Sequence, residues 1–130
     1  MTTQQALLDS VVSAYMQCAL WSSTDDNGEP LDGLYETWDL ADEALASMVE
    51  DVQDFLDNVE EHEIEWRSGW SAEQMGHDFW LTRNRHGAGF WDRYHGLDPR
   101  GIVGSELTEL AHPYGESVVY VGDDGKLYVS

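Results

Sequence analysis

The chain has 130 residues, 26 Asp and Glu against six Lys and Arg, a formal charge of −20, and 42% hydrophobic residues that include six Trp, six Tyr and three Phe. This length and aromatic content predict one folded domain, 1–130, with a substantial core, and exclude a disordered acidic tail. The charge excludes direct binding to nucleic acid or to an anionic membrane surface, and the single cysteine, Cys18, excludes an internal disulfide.

Residues 3–21 predict a first helix. Ala6, Leu7, Val11, Ala14, Tyr15 and Cys18 recur on one helical face, with Trp21 at its end. Cys18 reads as a buried structural thiol, because no cation near it in sequence would activate it. Residues 22–35 are loop chemistry: small polar residues, two glycines and Pro30. Within them Asp25-Asp26-Asn27-Gly28-Glu29 has the look of a calcium loop. Pro30 stands where an EF-hand needs glycine, so a turn is expected.

The second helix is the clearest element. Leu45, Met48, Val49, Val52, Phe55, Leu56 and Val59 recur at intervals of three and four and predict one apolar stripe. Asp39, Asp42 and Glu43 lie in or near its first turns, where the helix dipole favours anions. Glu50, Asp51, Asp54, Asp57, Glu60 and Glu61 are expected to cover its outer face, where no base offers an i,i+4 partner.

Further along, Ser71 with Gln74 resembles a capping box that starts a short helix toward Trp80. Residues 84–104 are glycine-rich and predict irregular backbone. Glu106–Ala111 reads as a short helix stopped by Pro113 and Gly115. Ser117–Val121 and Lys126–Val129 flank Gly122-Asp123-Asp124-Gly125 as a hairpin. The fold class is therefore α+β: two main amphipathic helices, short helices and a small antiparallel sheet with a C-terminal hairpin.

Three segments carry a resemblance. They are Cys18 to Asp26 (CALWSSTDD), His77 to Arg93 (HDFWLTRNRHGAGFWDR) and the ending Tyr120 to Lys126. Together they resemble a family of small acidic bacteriophage-encoded proteins. The resemblance implies a phage or prophage origin and action inside a bacterial host, and it supplies no catalytic residue. The cytoplasm is the expected compartment on three further counts. The chain starts Met-Thr-Thr-Gln-Gln without the basic residues of a signal peptide, has no apolar run of membrane-spanning length, and has no disulfide.

His77, Asp78, His86, Asp92 and His95 include metal-ligand chemistry, but no pair has a strong ligand spacing. The competing reading is structural, with Arg83, Arg85 and Arg93 pairing with nearby acids while Phe79, Trp80, Phe90 and Trp91 fill the core. No nucleophile motif and no phosphate loop is present. No catalytic residue, cofactor or metal is expected.

What sets this chain apart is where its charge lies. The first 66 residues hold 17 acids and no Lys or Arg. Self-repulsion of that size costs stability, and solubility does not require it. A basic partner would. The leading expectation is a nucleic-acid mimic that blocks a basic nucleic-acid-binding host protein, such as a CRISPR effector or a restriction-type enzyme. Its expected contacts are Asp42, Glu43, Glu50, Asp51, Asp54, Asp57, Glu60, Glu61, Glu63 and Glu65. Two other readings compete with it. One is a protein-interaction or structural module with a solvated acidic surface, displaying Trp66 and Trp70. The other is a metal-dependent enzyme using His77, His86 and His95. The aromatic content leaves room for a homodimer, and an acidic surface is also what a saline host would produce.

Overall fold

A computed structural model describes residues 3–25, 27–67, 69–85, 89–90 and 101–130. Among the described residues, four α-helices and one two-stranded sheet follow in chain order: α1 (Thr3–Trp21), α2 (Asp42–Glu61), α3 (Ala72–Arg83), α4 (Ile102–Ala111), β1 (Val119–Val121) and β2 (Leu127–Val129). Short 3-10 turns cover Leu31–Gly33, Thr37–Asp39 and His112–Tyr114. The α+β class holds, and α1 and the hairpin lie where the sequence puts them. Among the described residues no helix is long and apolar enough to cross a membrane.

The centre of the molecule is α3. Ser71 caps it reciprocally: Ser71 Oγ accepts from the Gln74 backbone N–H at 3.1 Å, and Gln74 Oε1 accepts from the Ser71 N–H at 2.9 Å. From Met75 on, nearly every residue of α3 is buried, including Asp78, Thr82 and Arg83. A helix buried on all sides has no amphipathic signature. That is why the sequence pattern predicts an end near Trp80, whereas the helix continues to Arg83. At its closest approach to α1, a Cβ on Gly76 would stand 2.1 Å from the Val11 carbonyl oxygen, so only glycine lets the two backbones meet there.

Aromatic rings fill the space between helices. Phe55 of α2 stacks on Phe79 of α3 at 4.1 Å, Tyr15 of α1 lies 5.3 Å from both Phe79 and Trp80, and Phe90 closes on Phe55 at 5.8 Å. Trp66 and Trp70 belong to this core, only 7% and 3% exposed. This corrects the expectation that they are displayed on the surface. The Trp70 indole N–H donates to the wholly buried Asp78 carboxylate at 3.1 Å. Buried residues from α1, α2, α3, α4 and the hairpin form one continuous cluster.

On α2 the core face is Ala44, Met48, Val52, Phe55 and Val59. Leu45 is 39% exposed, so the stripe begins one residue earlier than the sequence pattern suggests. The hairpin pairs Val119 with Val129 and Val121 with Leu127 around Gly122–Gly125. It is sewn to the start of α2 by the Ala41 N–H, which donates to the Leu127 carbonyl at 2.9 Å. α4 starts at Ile102, four residues before the predicted start. The loop before α2 is turn chemistry as expected: Asp25 Oδ1 accepts the Asn27 and Glu29 backbone N–H groups at 2.9 and 3.0 Å.

Candidate interaction surface

Opposite the buried stripe of α2, the exposed side is carboxylate. At about 100° per residue, Glu43, Glu50, Asp54, Asp57 and Glu61 fall within about 60° of arc, directly away from the core. Asp42 and Glu60 are exposed on the flank, and Glu63 and Glu65 continue the exposed acids past the helix end. Eight of the 20 residues of α2 are acids. The five acids of the outer row, Glu43, Glu50, Asp54, Asp57 and Glu61, are spread over about 27 Å of axis, one carboxylate per about 5–7 Å.

Asp51, expected among the partner contacts, stands apart from that outer face. It lies half-buried and accepts from Arg83 Nη1 at 2.7 Å. Arg83 comes from α3, 32 residues away, so a search for i,i+4 bases along α2 does not find it. The same guanidinium donates to the Tyr15 hydroxyl at 2.9 Å, the Gly115 carbonyl at 2.9 Å and the Tyr114 carbonyl at 3.0 Å. Burial alone would work against the Arg83 charge, but Tyr15 and Asp51 outweigh it and hold its pKa above the ordinary value. Burial pushes the Tyr15 hydroxyl up to about 12, and Arg83 only partly offsets that. Arg83 therefore pairs with a distant acid of α2 and not with a neighbour in its own segment.

Asp54 is exposed but tethered. The Tyr114 hydroxyl donates to Asp54 Oδ2 at 2.5 Å and accepts from Asn58 Nδ2 at 3.0 Å. Burial and the Asp54 hydrogen bond together raise the Tyr114 pKa. Asp57 carries a lighter restraint, accepting from Gln53 Nε2 at 2.9 Å. Among the described residues no Lys or Arg forms an ion pair with Asp42, Glu43, Glu50, Asp54, Asp57, Glu60, Glu61, Glu63 or Glu65.

The end of α2 runs against helix physics twice. Glu60, Glu61 and Glu63 crowd the C-terminus, where the dipole disfavours anions. Glu63 also occupies the left-handed position that usually belongs to glycine, at φ 55°. The Ile64 N–H donates to the Val59 carbonyl and the Glu63 N–H to the Glu60 carbonyl, which closes the helix as a Schellman motif. Beside it a cleft of about 590 Å³ separates the start of α1 from the end of α2, with Asp57, Glu60, Glu63 and Glu65 on its walls.

Of the metal-type residues, His77 and Asp78 diverge as neighbours on a helix must. Asp78 is buried and His77 half-exposed, with His77 Nδ1 3.8 Å from Asp78 Oδ1. His86, Asp92 and His95 lie outside the described residues, as do Arg93 and Trp91. Among the described residues no three His, Cys, Asp or Glu side chains come together as a metal site. Two aromatic residues that no sequence signal singles out as displayed, Trp21 and Trp38, are among the exposed large hydrophobic side chains of the described residues. No protein-family model, curated protein or solved structure matches the chain.

Proposed function

We propose that this protein is a phage-encoded inhibitor that acts by binding, not by catalysis, in the bacterial cytoplasm. Its outer α2 face substitutes for a nucleic-acid strand in the site of a basic host defence protein, of the CRISPR-effector or restriction-enzyme kind. The observation that carries the reading is the row of exposed carboxylates Glu43, Glu50, Asp54, Asp57 and Glu61, none of which forms an ion pair with Lys or Arg among the described residues. It supports a partner because it is costly to the free protein. The acids repel one another at i,i+3 and i,i+4 spacing, and those at the C-terminus also oppose the dipole.

The proposed contacts are Asp42, Glu43, Glu50, Asp57, Glu60, Glu61, Glu63 and Glu65. Asp54 joins them once Tyr114 releases it. Asp51 is reassigned to the fold. Lys and Arg of the partner would pair with these groups, and association would be fast at low salt and would slow steeply as salt rises.

The test is capture from bacterial lysate on immobilised protein at low salt, followed by elution with duplex DNA. One dominant nucleic-acid-binding protein in the eluate is expected. The triple variant Glu50→Lys, Asp57→Lys, Glu61→Lys should lose it. Retention by the triple variant, or elution of ribosomal proteins alone, would refute the reading.

A further inference from the structure

Apart from the outer stripe of α2, a groove of about 590 Å³ opens where the end of α1 meets the turns at Leu31–Gly33 and Thr37–Asp39. Trp21, Tyr35, Trp38 and His77 line it, together with the carboxylates of Asp32 and Glu36. Buried Leu20 and Cys18 also contribute to its lining. Trp38 is 79% exposed and Trp21 is 60% exposed. Single exposed apolar residues are ordinary, but two bare indoles lining one groove mark a recognition surface.

The geometry is supported from within. The Trp21 ring lies against His77, with centroids 5.7 Å apart and planes tilted 36°. The turn that presents Trp38 is closed by the Glu36 N–H donating to Asp39 Oδ2 at 2.8 Å.

The lining selects its occupant by charge and shape. Aromatic faces carry negative potential and attract cations, and among the described residues no Lys or Arg lines the groove. An anion would meet two carboxylates of its own sign. An apolar side chain would desolvate Asp32 and Glu36 without pairing them. A planar guanidinium satisfies both features at once, stacking on an indole while its N–H fork meets a carboxylate.

We infer that this groove takes an arginine side chain from a basic protein partner. The inference does not rest on the α2 reading, since no α2 residue lines the groove and none enters the test.

The experiment titrates the ¹⁵N-labelled full chain with the capped peptide Gly-Gly-Arg-Gly-Gly while the indole N–H signals of its Trp residues are followed. Lysine and citrulline versions of the peptide serve as controls. Saturable changes in resonance position confined to Trp21 and Trp38 are expected with arginine, about threefold weaker binding with lysine, and no response to neutral citrulline. Trp38→Ala, or Asp32→Asn with Glu36→Gln, should weaken binding about three- to tenfold with the thermal midpoint unchanged, because these side chains are exposed. An equal response to citrulline would overturn the inference in favour of an apolar contact. A response to protein concentration alone would assign the groove to a second copy of the chain. Silence of both indoles at millimolar arginine peptide would remove the site.

Discussion

Two sides of α2 use the same residue type in opposite ways. On one flank Asp51 is half-buried and meets Arg83, whose other donors reach Tyr15 and the carbonyls of Tyr114 and Gly115. On the outer face Glu50 and Asp57, one residue before and six after Asp51, meet no base among the described residues. A turn of little more than 100° about the helix axis thus separates an acid that holds the fold together from acids that strain it. What differs is not the carboxylate but whether a cation from another element can reach it.

The inner side should break first. Arg83→Met would leave Asp51, the Tyr15 hydroxyl and two carbonyls without their donor. A loss of about 3–5 kcal/mol in urea unfolding is expected. Glu50→Gln on the outer face should change stability by no more than about 0.5 kcal/mol. If the two variants behaved alike, the contrast would collapse.

Alkali sharpens the same contrast through Tyr15. Its pKa is near 10 when the chain is unfolded and about 12 in the fold, so the folded protein holds this proton more tightly. The resulting stability is complete below pH 10 and is lost as pH rises through about 12. The loss is roughly 2–3 kcal/mol, since each tenfold change in proton affinity is worth about 1.4 kcal/mol. Tyr15→Phe should make this part of the stability curve shallower, with the raised Tyr114 accounting for what remains, which urea midpoints measured from the neutral to the strongly alkaline range would show.

The outer side should respond to salt. Screening relieves repulsion among the exposed acids, so the thermal midpoint should rise with sodium chloride, by about 1 kcal/mol equivalent. The neutral triple variant Glu50→Gln, Asp57→Asn, Glu61→Gln should lose much of that rise. A midpoint indifferent to salt would mean the face is not strained.

The smallest effect expected is at the end of α2. Glu63→Gly removes both a left-handed Glu and a charge opposing the dipole, and should stabilise by about 0.5–1 kcal/mol. If Glu63 serves binding, the same change should weaken partner capture while the protein becomes more stable.

How legible the chain is depends on the kind of signal. The capping box at Ser71, the two main helices and the hairpin turn can be read because each is written in a few neighbouring residues. The end of α3 and the start of α4 cannot. α3 is buried on nearly all sides and shows no periodicity, and α4 begins inside the glycine-rich stretch. Trp66 and Trp70 look displayed in the sequence because nothing local tells a buried indole in a connection from an exposed one. Most of the candidate surface is legible, since charge is a property of composition. The exceptions are Asp51, claimed by Arg83, and Asp54, held by Tyr114 from 60 residues away.

The sequence alone determined the −20 charge, the absence of Lys and Arg before Arg67, and the periodicity that turns α2's acids outward. Those features depend only on residue identity and on the 3.6-residue turn of a helix. Only the tertiary structure decided which acids have partners and which aromatics remain bare. It brought Arg83 across to Asp51, buried Trp66 and Trp70, and left Trp21 and Trp38 beside Asp32 and Glu36. Pairing and burial are set by what packs against a residue, and those neighbours come from elements far away along the chain.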